Sequence, residues 1–353
     1  MSGYFNVSRR LFSVWLFIAL FCLAATPSKG AEFDLLKGKE IRVIIGGKPG
    51  AGVDVLARAF FAAFSRLLPE TTFHIQTIGG GAGAAALEEM AKADSKLITV
   101  SIFGNGPIYS QLLATEDLPF DVSKLEWLGS IADNRRVLTM RKALGPATIE
   151  TLMKLDHQPV TPSTGAGAPN HIESLLINAI TGLHLKVVPG FEDAQIDTML
   201  LAGDADVRLG GVLQVRAMIA SGDIVPVLRI GDGAYPAALR SLPKLADVAR
   251  PGVSKDLILL LETLNRLGRP YAAAPGTDPT IVAALRAAFP KVIEDTEFQE
   301  LLVKQDLNGG STAGDELQEA LTALLSNPAM KSTVRHYSDC GKAMSENPTA
   351  TCD

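Results

Sequence analysis

Short β-branched runs that end in glycine and feed amphipathic stretches recur along this chain, and that rhythm restricts it to the α/β class. IRVIIGG, from Ile41 to Gly47, has the pattern of a buried strand, and VDVLARAFFAAFSRLL follows with helical apolar spacing. FHIQTI then reads as a strand, GGGAGAAALEEMAKA as a glycine loop entering a helix, and LITVSIF as another strand. The order predicts a mainly parallel sheet covered on both faces. Near KLEWLGSIADNRRVLTM the character changes, and PVTPST, PNHIESLLINAITG, LKVVPGF and AQIDTMLLAGDADVRL form a second set of units. YAAAP at Tyr271 and the helix DPTIVAALRAAFPKVIED return to the first. Two α/β lobes are expected, residues 31–134 plus 268–353 and residues 135–267, without internal repeats or low-complexity tracts.

STGAGAPNH, from Ser163 to His171, opens a helix in an unusual way. Gly165 and Gly167 let a ligand approach the main chain. Pro169 suits the first helical position, because its missing N–H has no intrahelical partner there anyway. Ala168 stands where Ser, Thr, Asp or Asn would accept the first-turn N–H groups. The amides of Ala168, Asn170 and His171 are therefore expected to be left for a ligand. A helix start carries free N–H groups and about half a positive charge, which suits a carboxylate.

The N-terminus predicts export from the cytoplasm. Arg9 and Arg10 precede the apolar run LFSVWLFIALFCLAAT and the polar segment PSKGAEF, the tripartite layout of a secretory signal. With small Ser28 and Gly30 before it, the cut is expected near Ala31, so residues 1–30 form the signal peptide. The run is short of the roughly 20 residues that span a bilayer. SRRLF also fits a twin-arginine signal, and the route stays open. Cys22 follows a bulky Phe21, unlike a lipid-attachment cysteine. Losing Arg9, Arg10 and Lys29 takes the formal charge from −5 to −8. An acidic chain without a basic run is a poor partner for nucleic acid or anionic membranes. Cys340 and Cys352 remain; they can pair in an oxidising compartment or persist as two thiols. The five histidines are scattered, and no CxxC or HExxH is present, so neither metal nor cofactor is expected.

IGGKPGAGVDVLAR, spanning 45–58, resembles the opening loop of the solute-binding proteins of tripartite tricarboxylate transporters, the TctC or Bug family. Further matches follow in family order: GGGAG at 79–83, LPFD at 118–121 with LEWLG after it, and GAGAPNH at 165–171. VVPGF at 187–191, AGDAD at 202–206 and APGTDPTIVAAL at 274–285 complete the series. No single motif is specific, but seven in order cover essentially the whole mature chain. The resemblance implies a type II periplasmic-binding-protein fold, with two α/β lobes joined by crossing strands around a ligand cleft. It implies a monomeric, non-enzymatic periplasmic receptor that delivers a small carboxylate to membrane permease subunits. Ligands in open α/β sheets lie beyond the carboxyl ends of strands. The expected contacts are Pro49, Gly50, Ala51, Gly52, Val53 and Asp54 from the first loop, then Thr164, Gly165, Ala166, Gly167, Ala168 and His171 from the second, with Phe191.

Departures from the family pattern shape the expected ligand. Many members carry Thr or Ser where this chain has Val53, and Ser where it has Ala168, so two hydroxyl donors are lost. Gly190, Phe191 and Glu192 replace a Tyr-Lys-Gly element, and Phe191 is expected to offer an apolar wall. An aromatic or alkyl-bearing anion in place of a citrate-like one is one expectation; a ligand unlike those of other members is equally open. Asp54 is expected to fix the first loop through backbone N–H groups, with meeting a ligand amino group as the alternative. His171 either donates to the ligand or anchors its loop. Arg58 is expected to brace the first helix, Lys48 to be solvated, and Arg208 to pair with Asp204 or Asp206, or else to bind a second carboxylate. Two other functions stay open. A sensing partner of a receptor kinase needs the same closure. An exported enzyme is less favoured, because GGGAGAAA lacks the GxGxxG and GK[ST] spacings and no catalytic constellation assembles.

Overall fold

The computed structural model describes residues 34–94, 96–114, 118–131, 134–233, 235–305, 307 and 310–352. The expected signal peptide, residues 1–30, lies outside the described residues.

Strand β1 (Glu40–Gly46) is followed by helix α1 (Gly52–Leu67), β2 (Thr72–Ile78), α2 (Ala84–Ala91), β3 (Ile98–Ile102), α3 (Gly106–Leu113) and β4 (Glu126–Ile131). The chain then crosses into β5 (Arg136–Arg141), α4 (Ile149–Met153), β6 (Val160–Ser163), α5 (Pro169–Thr181), β7 (Lys186–Pro189) and α6 (Asp193–Ala202). β8 (Val207–Gly211), α7 (Val212–Ser221), β9 (Ile224–Arg229) and α8 (Lys255–Leu267) complete that part. β10 (Arg269–Ala273), α9 (Pro279–Ile293), α10 (Thr296–Lys304), β11 (Ser311–Ala313), α11 (Gly314–Ser326) and α12 (Pro328–Glu346) close the chain.

Six strands form one sheet in the order β11-β4-β10-β3-β1-β2, while β8-β5-β9 and β6-β7 form two smaller sheets. β1 runs parallel to β2 and β3, but β10 is antiparallel to both β3 and β4, and β5 is antiparallel to β8 and β9. The expectation of a mainly parallel sheet is corrected here. A parallel neighbour needs a crossover that carries the chain back to the strand's starting end. β10 instead arrives from the second lobe at the end where β3 and β4 finish, so it runs against them.

Strand alternation distributes the core over both faces of the large sheet. Ile41, Val43 and Ile45 of β1 enter one buried cluster and Ile44 the other. On the first face α1 supplies Leu56, Phe60 and Phe64 at helical spacing, with Phe60 packed 4.5 Å from Tyr271 and 5.1 Å from Phe289 between ring centroids. Burying such rings contributes roughly 1.5–3 kcal/mol each. The cluster on the other face continues through α3 into α5 and α8 of the second lobe.

The last helix departs from its expected place with the first lobe. α12 lies against α5 so closely that a Cβ on Gly341 would meet the Leu175 carbonyl oxygen at 1.8 Å, which only glycine avoids. The Ser345 hydroxyl accepts from the Val187 amide at 2.8 Å, and the Gln158 side chain donates to the carbonyls of Met344 and Ser345. A disulfide joins Cys340 to Cys352 with Cα atoms 5.7 Å apart, within the normal range for such a bridge. It folds the tail back onto α12.

Candidate functional site

The loop between β1 and α1 is held from beneath. Asp54 is buried at the third position of α1, accepting from the Gly50 amide at 2.9 Å, the Thr77 hydroxyl at 2.5 Å and Arg58 Nε at 3.1 Å. Burial pushes the Asp54 carboxyl up, but the hydrogen bonds from Thr77, Gly50 and Arg58 outweigh it and hold the group below its ordinary value. Asp54 therefore fixes the loop from below, and Arg58 braces the same helix, donating also to Thr77 at 3.1 Å. Gly50, at φ +76°, makes the turn that points its amide back at Asp54. Val53 turns toward the core of the first lobe, next to where a Cβ on Gly47 would sit.

The mouth of α1 stays open. Ala51, at the cap position, accepts no first-turn amide with its side chain. The first i→i−4 bond is Val55 to Ala51 at 3.0 Å, and the amides of Gly52, Val53 and Asp54 have no hydrogen-bond partner among the described residues. Space is open beside Gly50 and Gly52, where an added Cβ would touch nothing within 4 Å.

The second glycine loop follows β6 and differs in one respect. Ala168 likewise provides no side-chain cap for α5, as its sequence requires. Its amide, however, donates to the Gly165 carbonyl at 3.0 Å, and the His171 amide donates to the Ala168 carbonyl at 3.0 Å. Two of the three amides expected to be left for a ligand thus close turns within the loop. Of the three, the Asn170 amide has no partner among the described residues, while the Asn170 side chain accepts from the Thr164 hydroxyl at 3.0 Å. His171 anchors the loop, with Nδ1 2.9 Å from the Ser163 hydroxyl. Burial, and then the charge of Lys342, hold its pKa below the ordinary value, so the ring is neutral near pH 7. Phe191 packs against the second-lobe cluster around Ile196 and Tyr235.

The first loop meets the turn that adjoins the second. The amides of Gly190 and Phe191 both donate to the Ser163 carbonyl, tying the 190–192 turn to the end of β6. From that turn Glu192 Oε1 reaches Lys48 Nζ at 2.6 Å. Lys48 is exposed as expected, but it is paired across the gap.

Beside this contact lies a cavity of about 330 Å³. Of the residues singled out in the sequence, only Gly52 lines it. Arg269, Gln305 and Leu307 join Gly52 from the first lobe, Asn134 and Arg135 come from the crossing, and Asp193 and Gly211–Gln214 from the second. Behind the second-lobe wall Arg208 is buried and ion-paired to Asp193 at 2.8 Å and also to Asp197. The expected partners were Asp204 or Asp206. Asp206 is instead engaged by Arg141 at 2.9 Å and His157 at 3.1 Å. In the buried interior, Arg136 Nε lies 2.9 Å from Glu173 of α5, and the Tyr109 hydroxyl of α3 donates to the same carboxylate at 3.1 Å. Burial pushes the Glu173 carboxyl up, against the lowering effects of Arg136 and Tyr109.

No protein-family model matches the chain, and no curated protein matches it in sequence. Solved structures do. The chain superposes on a TctC solute-binding protein from Polaromonas with a TM-score of 0.66 at 18% identity, over 85% of this chain and 98% of that one. An R. palustris protein with adipate gives 0.62 at 18%, over 84% and 97%. MatC from Rhodopseudomonas palustris with bound malate gives 0.60 at 16%, over 85% and 99%. The fold is thus that of the two-lobed periplasmic binding proteins, α/β lobes around a cleft. Within that class its neighbours are of the TctC and Bug type, and they are solute-binding proteins rather than enzymes. Among the described residues no helix is long and apolar enough to cross a membrane.

Proposed function

We propose that this chain is a periplasmic receptor that captures a small organic carboxylate between its lobes and hands it, unaltered, to the permease subunits of a tripartite tricarboxylate-type transporter. One observation carries the reading. The partnerless amides at the start of α1 adjoin a cavity that Arg135 and Arg269 also line. A helix N-terminus with guanidinium groups nearby favours an anion over any neutral solute. The malate and adipate bound by two fold neighbours agree with that chemistry.

In this reading the Pro49–Asp54 loop holds the anionic group. The Thr164–Ala168 loop with His171 forms the outer rim, and Phe191 buttresses the turn that carries Glu192. The lobes comprise residues 31–134 with 268–353 and residues 135–267, with α12 laid across the second. The receptor is a monomer, exported on a signal peptide cleaved near Ala31. Thermal unfolding of the mature protein against mono- and dicarboxylates tests the reading, since ligand at about 100 times its Kd stabilises by roughly 2.7 kcal/mol. A panel that leaves the transition unmoved, or a stabilising compound that is turned over, refutes it.

A further inference from the structure

Two adjoining depressions lie along α8, apart from the cleft cavity. The first, of about 260 Å³, is walled by α8 and by Gly231 and Asp232 of the loop after β9. Leu259, Glu262, Thr263 and Arg266 recur there at helical spacing, so one face of α8 is turned to it. The second, of about 390 Å³, shares Leu259, Thr263 and Arg266 with the first. The rest of its lining is mostly apolar, from Ala323 and Leu324 of α11 to Met330 of α12, with Asp256 and Asn327 beside them.

Polar groups in the first depression are left unanswered. Glu262 and Arg266 stand at i and i+4, in the order that favours a helical ion pair. No ion pair or hydrogen bond joins them, and neither makes one elsewhere among the described residues. The stem of Glu262 lies against Gly231 instead, where an added Cβ would meet its Cγ at 3.2 Å. Asp232 is already engaged by Lys244 at 2.8 Å and Arg229 at 3.2 Å. Burial, and then the charge of Asp232, push the Glu262 carboxyl up, against the lowering effects of Lys244 and Arg229. Thr263 is only 7% exposed, and its hydroxyl has no hydrogen-bond partner among the described residues. Asn265, 3% exposed, also lines the depression; its Nδ2 donates to the Leu261 carbonyl at 2.8 Å, and its Oδ1 has no partner. Buried polar groups are nearly always paired, so unpaired ones gathered at a cavity point to a ligand. Leu259, a large apolar side chain, is 55% exposed where the two depressions meet.

We propose that the two depressions form one site for a free α-amino acid with an apolar side chain, separate from the cleft. The ammonium group meets the Glu262 carboxylate, with Thr263 Oγ1 and Asn265 Oδ1 as further acceptors. The ligand carboxylate meets the Arg266 guanidinium one turn on, and the side chain lies over Leu259 toward Ala323 and Met330. A zwitterion supplies both of the charges that Glu262 and Arg266 lack as partners, whereas a simple anion or cation supplies one. The site stands independently of the receptor reading above.

Calorimetry with L-leucine, L-phenylalanine, leucinamide and N-acetyl-leucine tests this, using the wild type, Glu262→Gln, Arg266→Gln and Gly52→Val. Melting without ligand establishes that each variant is folded. Leucine or phenylalanine is expected to bind the wild type, and leucine at least about tenfold more tightly than leucinamide or N-acetyl-leucine, each of which lacks one charge. Each substitution on α8 is expected to weaken the bound amino acid by at least about tenfold. Gly52→Val, which fills the cleft cavity, is expected to change it by less than about twofold. Failure of both amino acids to bind, or affinities unmoved in both α8 variants, overturns the proposal and leaves the receptor reading intact. Amino-acid binding that Gly52→Val abolishes places the ligand in the cleft and overturns the proposal in favour of the receptor site.

Discussion

Lys48 Nζ lies 2.6 Å from Glu192 Oε1, and this contact joins the first-lobe loop that presents open amides to the second-lobe turn that rests on Ser163. Both side chains are about 70% exposed, at 71% and 69%. An ion pair so exposed contributes at most about 1 kcal/mol and is screened by salt. Lys48→Ala is therefore expected to speed ligand release by up to about fivefold at low ionic strength. Stopped-flow dissociation should show that the gap between variant and wild type narrows in high salt. Lys48→Glu combined with Glu192→Lys should recover most of the loss; a swap no better than either single change shows that the pair does not hold the cleft.

The two glycine loops are expected to respond differently to added bulk. An added Cβ meets nothing within 4 Å at either Gly52 or Gly167, so valine at each should leave stability within about 0.5–1 kcal/mol of wild type. Gly52→Val places branched carbons in the cavity beside the open amides and should abolish binding. Gly167→Val adds bulk to the second loop, where Ala168 and His171 already spend their amides on the loop itself, and should change affinity by less than about threefold, or ~0.6 kcal/mol. Equal losses at both sites would mean that the second loop grips the anion as firmly as the first.

Asp54 gives a pH signature. Its carboxyl is held below its ordinary value in the folded state, so its stabilising effect is present above the unfolded pKa of about 3.9 and is lost as pH falls through the lower folded value. Asp54→Asn should cost about 1–3 kcal/mol at pH 7. In urea titrations the difference should shrink as the pH drops below about 4. A cost that stays constant across that range would assign the effect to lost shape rather than lost charge.

The tail offers two independent measurements. Gly341→Ala forces a methyl into the Leu175 carbonyl and should destabilise by about 1–3 kcal/mol or more, as overpacking does. Reducing the Cys340–Cys352 bridge, which spans 12 residues, should cost about 2–3 kcal/mol. Alkylation before and after reduction, read by mass, checks the pairing in periplasmic protein. A reduced chain as stable as the oxidised one would show that the bridge only tethers frayed residues.

Much of the scaffold was legible because local rules wrote it. The capless helix start at Ala168 follows from a side chain that cannot accept a hydrogen bond, and Asp54 bracing its own loop follows from its place in the first turn. What escaped depended on distance in space. The partners of Arg208 were sought next to it in sequence, but α6 lies over its strand and presents Asp193 and Asp197 one turn apart. The arginines of the cavity, Arg135 and Arg269, carry no motif; their one signal is position, since each stands at an expected crossing between lobes. The turns that close on the Ala168 and His171 amides depend on the path of the loop, which composition does not encode.

The course of α12 has a mechanical consequence. The chain passes between the two parts before β5 and again before β10, and two passages alone would leave the parts able both to bend and to twist. α11 packs on β4 of the first lobe, and the next residues carry α12 onto α5 and β7 of the second. The chain thus makes a third connection between the two parts. Any opening that draws Lys48 away from Glu192 would also have to bend or unpack the segment from α11 to α12, so the tail shares in resisting the motion.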